Sequence, residues 1–240
     1  MNPLYIISHV ACSRPGYLCE YLDRQSVPYR RVDVESGDPL PAAEETRGLI
    51  LLGAPVSVNS GAPWIEQEMA LVRACHQRQI PVFGICFGGQ LISKALGGAV
   101  CSAASMQIGW HPVNLTEQGR ALFRDPEMPQ QVEALEWHEE TFSLPPGAVP
   151  LFRGGCIENQ GFRLGSCLAV QFHPEVSEAM VREWVDRYQA CTANHNHCIQ
   201  HHSDILLQLE QRLQGMRRLS DRLFAWWLAT LDRHRPPISG

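Results

Sequence analysis

Two short segments of this 240-residue chain carry residue types that could make a cysteine nucleophile and the base that activates it. The first is Gly84-Ile85-Cys86-Phe87-Gly88, where an apolar run meets a helical pattern. A glycine on each side of a cysteine permits a tight strand-to-helix turn. Such a turn lifts the side chain out of a sheet and keeps neighbouring atoms clear. The helix start also sets backbone N–H groups and the positive end of the helix dipole beside the sulfur, and both favour a thiolate nucleophile. A buried structural cysteine is the competing reading, the commonest fate of a free thiol. The second segment is Gln171-Phe172-His173-Pro174-Glu175, at the end of another apolar run. A histidine there can take the thiol proton. A carboxylate two residues on points to the same side of an extended chain, where it can orient the ring and stabilise imidazolium. By itself this segment would read as a capped strand end. Following a cysteine elbow in the chain, it makes Cys86, His173 and Glu175 a candidate set of nucleophile, base and orienting acid.

The residues around these two segments resemble a known family. Pro81-Val82-Phe83-Gly84-Ile85-Cys86-Phe87-Gly88-Gly89-Gln90-Leu91 is similar to the nucleophile motif of class I, triad-type glutamine amidotransferases, and Gln171–Glu175 resembles their His-x-Glu motif. Leu52-Gly53-Ala54-Pro55 resembles their oxyanion-strand loop, usually Gly-Gly-Pro. Leu96-Gly97-Gly98, Gly109-Trp110 and Trp137-His138 extend the resemblance from about Gly48 to Asp186. It is nearest to the stand-alone branch that resembles the glutaminase part of GMP synthase.

The resemblance implies that Cys86 attacks the side-chain amide carbon of glutamine and that His173 relays a proton to the departing ammonia. Water then hydrolyses a γ-glutamyl thioester. It also implies an oxyanion hole from the backbone N–H groups of Phe87 and of Gly53 or Ala54. Substrate contacts are implied for Gln90, Gly109, Trp110, His138 and Glu140. Gln90 otherwise reads as an exposed residue of a first helical turn. Glu139-Glu140 stand where many relatives carry Gly-Asp; an acid there suits the substrate ammonium, and a solvated turn is the alternative. The implied partners are glutamine or another γ-glutamyl compound, and a separate synthetase subunit that consumes the ammonia. No Gly-x-x-x-x-Gly-Lys-Ser/Thr phosphate loop occurs in the sequence, so activating chemistry is expected from a partner. No cofactor and no metal is expected. Two other functions stay open: a free-standing hydrolase of γ-glutamyl peptides or amides, and a non-catalytic regulatory module that keeps the fold.

Positioning such a site takes alternating strands and helices. Leu4–Val10, Tyr29–Val34, Gly48–Leu52 and Ile80–Ile85 read as strands. Helical patterns over Tyr17–Arg24, Trp64–Gln79 and Gly88–Leu96 lie between or after them. Pro63 marks one helix start and Gly97-Gly98 one helix end. Repeated strand–helix–strand units imply a parallel sheet with right-handed crossovers. The second half reads as a β-rich part: Ile108–Leu115, Gln131–Glu136, Val149–Arg153, Gln160–Arg163 and Leu168–Phe172 are strand-like, followed by a helix over Glu178–Gln189. The expected fold is α/β with three layers: a mostly parallel central sheet flanked by helices, flavodoxin-like as in the family it resembles. One domain is expected over 1–240, with a core of about 1–190 and a C-terminal helical extension of about 191–240.

That extension carries a long helical pattern over Ser203–Asp232. Its Phe224, Trp226 and Trp227 spread around the helix, which suggests burial on more than one side and makes a homodimer one expected assembly. His195-Asn196-His197-Cys198 and His201-His202 just before it read either as a metal site or as a polar helix start with incidental histidines, and the lack of a second cysteine or acid at ligand spacing favours the helix start.

Composition narrows the remaining classes. The chain is 45% apolar and 19% charged, which suits a folded domain and excludes general disorder. A net charge of −5 gives no electrostatic footprint for nucleic acid. The longest apolar stretches fall short of the roughly 18 to 20 residues a membrane span needs. The N-terminus lacks a basic flank and cleavage site, so it reads as a first strand rather than a signal peptide. Nine scattered cysteines without a Cys-x-x-Cys pair suggest no disulfide framework, and hence a reducing cytoplasm.

Overall fold

The uninterrupted apolar runs of the first half become strands covered on both faces, as their lack of polar alternation requires. The computed structural model describes residues 2–123, 125, 127–193 and 195–233. Its first four strands are β1 (Leu4–Ser8), β2 (Tyr29–Asp33), β3 (Gly48–Leu51) and β4 (Val82–Ile85). Between and after them lie α1 (Gly16–Arg24), α2 (Pro63–Gln77) and α3 (Phe87–Ala95). Pro63 starts α2, where its missing N–H costs nothing. The four strands pair in parallel with one another and with β9 (Cys167–Val170), in the spatial order β2-β1-β3-β4-β9. The nucleophile candidate therefore leaves β4, and the histidine candidate leaves the adjacent β9, at the same C-terminal edge of the sheet.

Beyond β9 the same sheet turns antiparallel. β5 (Val100–Leu115), α4 (Glu117–Phe123), β6 (Gln131–Phe142), β7 (Val149–Gly154) and β8 (Asn159–Leu164) precede β9 in the chain, and the sheet continues β9-β8-β7-β5-β6. Both β5 and β6 run longer than their hydrophobic patterns predict. The added part of the hairpin has exposed, polar positions such as Ser102, and its register slips between Ser102 and Gln107. As a result Trp137–Glu140 lie inside β6, not in a solvated turn.

After β9 come α5 (Glu178–Arg187), α6 (Gln189–Ala193), α7 (His202–Leu206) and α8 (Leu209–Arg233). Ser177 caps α5, its side chain accepting from the Met180 N–H. The long pattern predicted over Ser203–Asp232 is thus two helices, broken at Leu207-Gln208, where Gln208 adopts φ +52°. Along α8, Leu209, Leu213, Met216, Leu219, Leu223 and Trp227 are buried at helical spacing and join the core that contains Leu4, Ile50 and Phe83. Trp227 lies 6.0 Å from Phe83 and Phe224 5.4 Å from Tyr21, ring centre to ring centre. Trp226 is only partly buried. Residues 194 and 234–240 of the expected extension lie outside the described residues. Among the described residues no helix is long and apolar enough to cross a membrane.

One cysteine expectation is corrected. Cys156, in the turn between β7 and β8, and Cys198, ahead of α7, form a disulfide, while the other seven cysteines are free. The partners are 42 residues apart and share no short motif, so only the folded chain brings them together.

Candidate active site

The strand-to-helix turn at Cys86 is strained. Its residue takes φ +52° and ψ −109°, conformations that a side-chain-bearing residue adopts at a cost. The turn is possible because of what flanks it. A Cβ on Gly84 would run into the Gly88 backbone, and one on Gly88 into the Leu51 carbonyl of β3. The Cys86 N–H is fixed to the Val170 carbonyl at 2.9 Å, and the Cys86 carbonyl accepts from the Gln90 N–H at 2.9 Å. Cys86 is thus the N-cap of α3, with Phe87 as the first helical residue. The sulfur lies 3.9 Å from the Trp137 carbonyl oxygen and 3.7 Å from the Gln171 side-chain N–H, which donates toward it.

His173 and Glu175 follow the end of β9. The His173 N–H donates to the Leu135 carbonyl at 2.9 Å, and its ring stands edge-on to Trp184 with centres 4.8 Å apart. Nδ1 meets Glu175 Oε1 at 2.8 Å, and Glu175 is wholly buried. Nε2 is buried and has no hydrogen-bond partner among the described residues. Burial disfavours the charged ring, yet the Glu175 carboxylate and the Cys86 sulfur outweigh it and hold the His173 imidazole well above the ordinary histidine range. The group therefore favours imidazolium beside the sulfur, with the other nitrogen bound to the carboxylate.

A cleft of about 370 Å³ opens over Cys86, a size that suits a small ligand. Gly53 and Ala54 form part of one wall. A Cβ on Gly53 would lie 3.2 Å from His173 Cε1 and 3.8 Å from Cys86 Cβ, so this loop closes directly over the reacting pair. Gln90, His138 and Glu140 also line the cleft. Gln90 is buried rather than exposed, its amide donating to the Glu140 carbonyl at 2.9 Å. The Glu140 carboxylate accepts from Ser57 Oγ at 2.7 Å. Both His138 nitrogens are taken, Nδ1 by the Glu140 carbonyl at 2.9 Å and Nε2 by buried Glu136 at 3.1 Å.

Gly109 and Trp110 do not line the cleft, which corrects their expected substrate role. Trp110 is 1% exposed, and its indole N–H donates to the Ile205 carbonyl at 3.0 Å. Its backbone N–H and carbonyl both bond the Gln200 side chain, so this part of β5 anchors the C-terminal segment. Residues that sequence reasoning did not single out complete the cleft: Val10, Cys12, Trp184 and Tyr188 stand with Trp137 on one side. They come from distant segments and have no shared spacing, so no local pattern marks them. For a metal, Cys156, His197 and Cys198 bring ligand-type atoms within 4.8 Å of one another, but both sulfurs are spent on the disulfide.

Known proteins resemble the chain over most of its length. Residues 18–183 match the family model described as Glutamine amidotransferase class-I. A solved glutamine amido transferase from Methylobacillus flagellatus superposes with a TM-score of 0.90 at 31% identity, covering 96% of this chain and 95% of that one. A glutamine-hydrolyzing GMP synthase subunit of Methanococcus maripaludis is 33% identical over 139 residues, 57% of this chain and 68% of its own. Gamma-glutamyl peptidase 3 of Arabidopsis thaliana is 27% identical over 146 residues, 58% of this chain and 59% of its own. The chain spans 25% of the length of the GMP synthase of Borreliella burgdorferi, to which it is 31% identical over 135 residues.

Proposed function

Because the chain belongs to the class-I glutamine amidotransferase family, we propose that it hydrolyses the γ-amide of glutamine with Cys86 as nucleophile. The Cys86 sulfur bonds to the amide carbon, and the carbonyl oxygen becomes an oxyanion. The N–H groups of Phe87 and of Gly53 or Ala54 receive that charge; each such donor is worth roughly 10²- to 10³-fold in rate. His173 gives its Nε2 proton to the departing nitrogen as the C–N bond breaks, and ammonia leaves. His173 then takes a proton from water, which attacks the γ-glutamyl thioester, and the C–S bond breaks to return the thiol and release glutamate. Glu175 holds the ring and stabilises its charge through Nδ1. The Glu140 carboxylate meets the substrate ammonium, and the ammonia passes to a separate synthetase. The relative named as part of a GMP synthase supports such a partner. A cytoplasmic setting rests on the seven free thiols, and the Cys156–Cys198 disulfide argues against it.

The observation that carries this reading is a cysteine on a strained elbow beside a buried histidine with one unspent nitrogen. Release of ammonia from L-glutamine by the purified chain tests it. Turnover that disappears in Cys86→Ser is expected; no release from glutamine or any γ-glutamyl amide would refute it.

A second reading is favoured by the cleft's aromatic side. Trp137 packs on Trp184 and Tyr188 at 5.8 and 6.1 Å, next to His173, where the leaving nitrogen departs. That wall gives an apolar amine a surface that ammonia does not use. On this reading the chain cleaves γ-glutamyl peptides or amides without a partner. Comparing kcat/KM for glutamine with that for γ-glutamyl-phenylalanine separates the two.

A further inference from the structure

A third buried His–Glu pair lies behind the loop that covers Cys86, outside the cleft lining. His9 follows β1, and Glu68 sits in α2, 59 residues further on. Both are buried, Glu68 completely. His9 Nε2 lies 3.1 Å from each Glu68 oxygen, and Nδ1 lies 3.3 Å from the Gly53 carbonyl oxygen. The ring also stands edge-on to Phe87, with centres 4.9 Å apart, and 5.4 Å from Trp64.

We propose that His9, backed by Glu68, is a positioning residue that sets the oxyanion-stabilising N–H groups. The assignment rests on the amide-hydrolysis reading above. A carbonyl oxygen only accepts, so the contact to Gly53 requires the proton on Nδ1. One further proton then lies between Nε2 and Glu68. Whichever side holds it, the pair is neutral overall, which suits complete burial. In a trans peptide the carbonyl and the following N–H point in opposite directions. Holding the Gly53 carbonyl from behind therefore turns the Ala54 N–H forward, toward the cleft that Ala54 lines. The same ring braces Phe87, the other donor residue. His9 thus touches both halves of the hole while reaching neither the nucleophile nor the substrate. A small shift of such donors is costly, because they act only when aimed at the developing charge.

The test replaces the pair, not one partner. His9→Phe with Glu68→Met keeps a ring against Phe87 and Trp64. It exchanges a buried polar pair for apolar groups, a change often neutral or stabilising to the fold. His9→Asn with Glu68→Met is the matched control, because its amide N–H takes the place of Nδ1. Melting temperature, kcat and KM for glutamine are measured in each. So is inhibition by glutamate γ-semialdehyde, whose aldehyde forms a tetrahedral oxyanion adduct with a thiol. In the Phe/Met variant, kcat should fall about 10- to 100-fold with KM within about threefold, and the aldehyde should weaken by the same factor as kcat. The Asn/Met variant should recover most of that loss. A Phe/Met variant with kcat within about twofold of wild type, or equal losses in both variants, would overturn the assignment. A wild-type chain that hydrolyses no γ-glutamyl compound would instead overturn the reading on which it rests.

Discussion

His173 and His138 line the same cleft, and each is bonded to a buried glutamate two residues away, yet their ring nitrogens are spent differently. His138 uses Nε2 on Glu136 and Nδ1 on the Glu140 carbonyl, so it has nothing left to offer a substrate. Its work is to pin the part of β6 that carries Glu140 and accepts the Gln90 amide. His173 uses only Nδ1, on Glu175, and leaves Nε2 buried and uncommitted near Cys86. Residue type, spacing and burial are nearly the same in both. The difference lies in whether a nitrogen remains free, and whether a sulfur stands beside it. His9 belongs with His138 in this respect, since both of its nitrogens are engaged.

The comparison breaks if the two histidines prove interchangeable. His173→Ala should lower kcat by roughly 10³-fold or more, whereas His138→Gln should stay within about tenfold, both read in an ammonia-release assay. Equal losses would assign the proton transfer wrongly. Glu175→Gln should be the milder change at the His173 pair, by about 10- to 100-fold relative to His173→Ala, since the carboxylate orients the ring without moving the proton. Steady-state kinetics of the two variants decide it.

The stability effects should run the other way. His138→Leu leaves Glu136 buried and unpaired, which costs about 3–5 kcal/mol. Adding Glu136→Leu should restore most of that, and denaturant titration of both variants checks it. The smallest effect is on pH dependence. The folded chain raises the His173 pKa, so the stability this gives is fully present below the ordinary histidine value of about 6.5 and is lost as pH rises through the raised value. The melting-temperature gap between wild type and His173→Gln should therefore narrow as pH increases. A gap that widens would mean Glu175 and Cys86 do not stabilise the charged ring.

What could be read from the sequence follows from how locally each feature is encoded. The elbow and the His-x-Glu segment each span five residues, with their backbone demands written in glycines and a proline, so both stood out. The inner parallel strands β1, β3, β4 and β9 are equally readable, because a strand buried on both faces is an unbroken apolar run, whereas the edge strand β2 carries exposed Arg30 and Arg31. The β5–β6 hairpin was underestimated because the solvent-facing stretch around Ser102 hides its pairing. The His9–Glu68 pair, the Cys156–Cys198 bond and the aromatic side of the cleft join residues far apart in the chain, each unremarkable where it stands. Gly109-Trp110 misled for the opposite reason. The dipeptide matched a motif, but its local bonds go to Gln200 and Ile205, and that destination is set by the tail.

Covalent labelling tests the central claim most directly. The purified chain is treated with a chloroketone analogue of glutamine and mapped by mass spectrometry, with free glutamine as competitor. One adduct on Cys86, absent from the other six free cysteines, suppressed by glutamine and lost in His173→Ala, is the result expected from this site. An adduct on Cys12 or Cys191, which also line the cleft, or labelling of Cys86 that ignores both glutamine and the histidine, would contradict it.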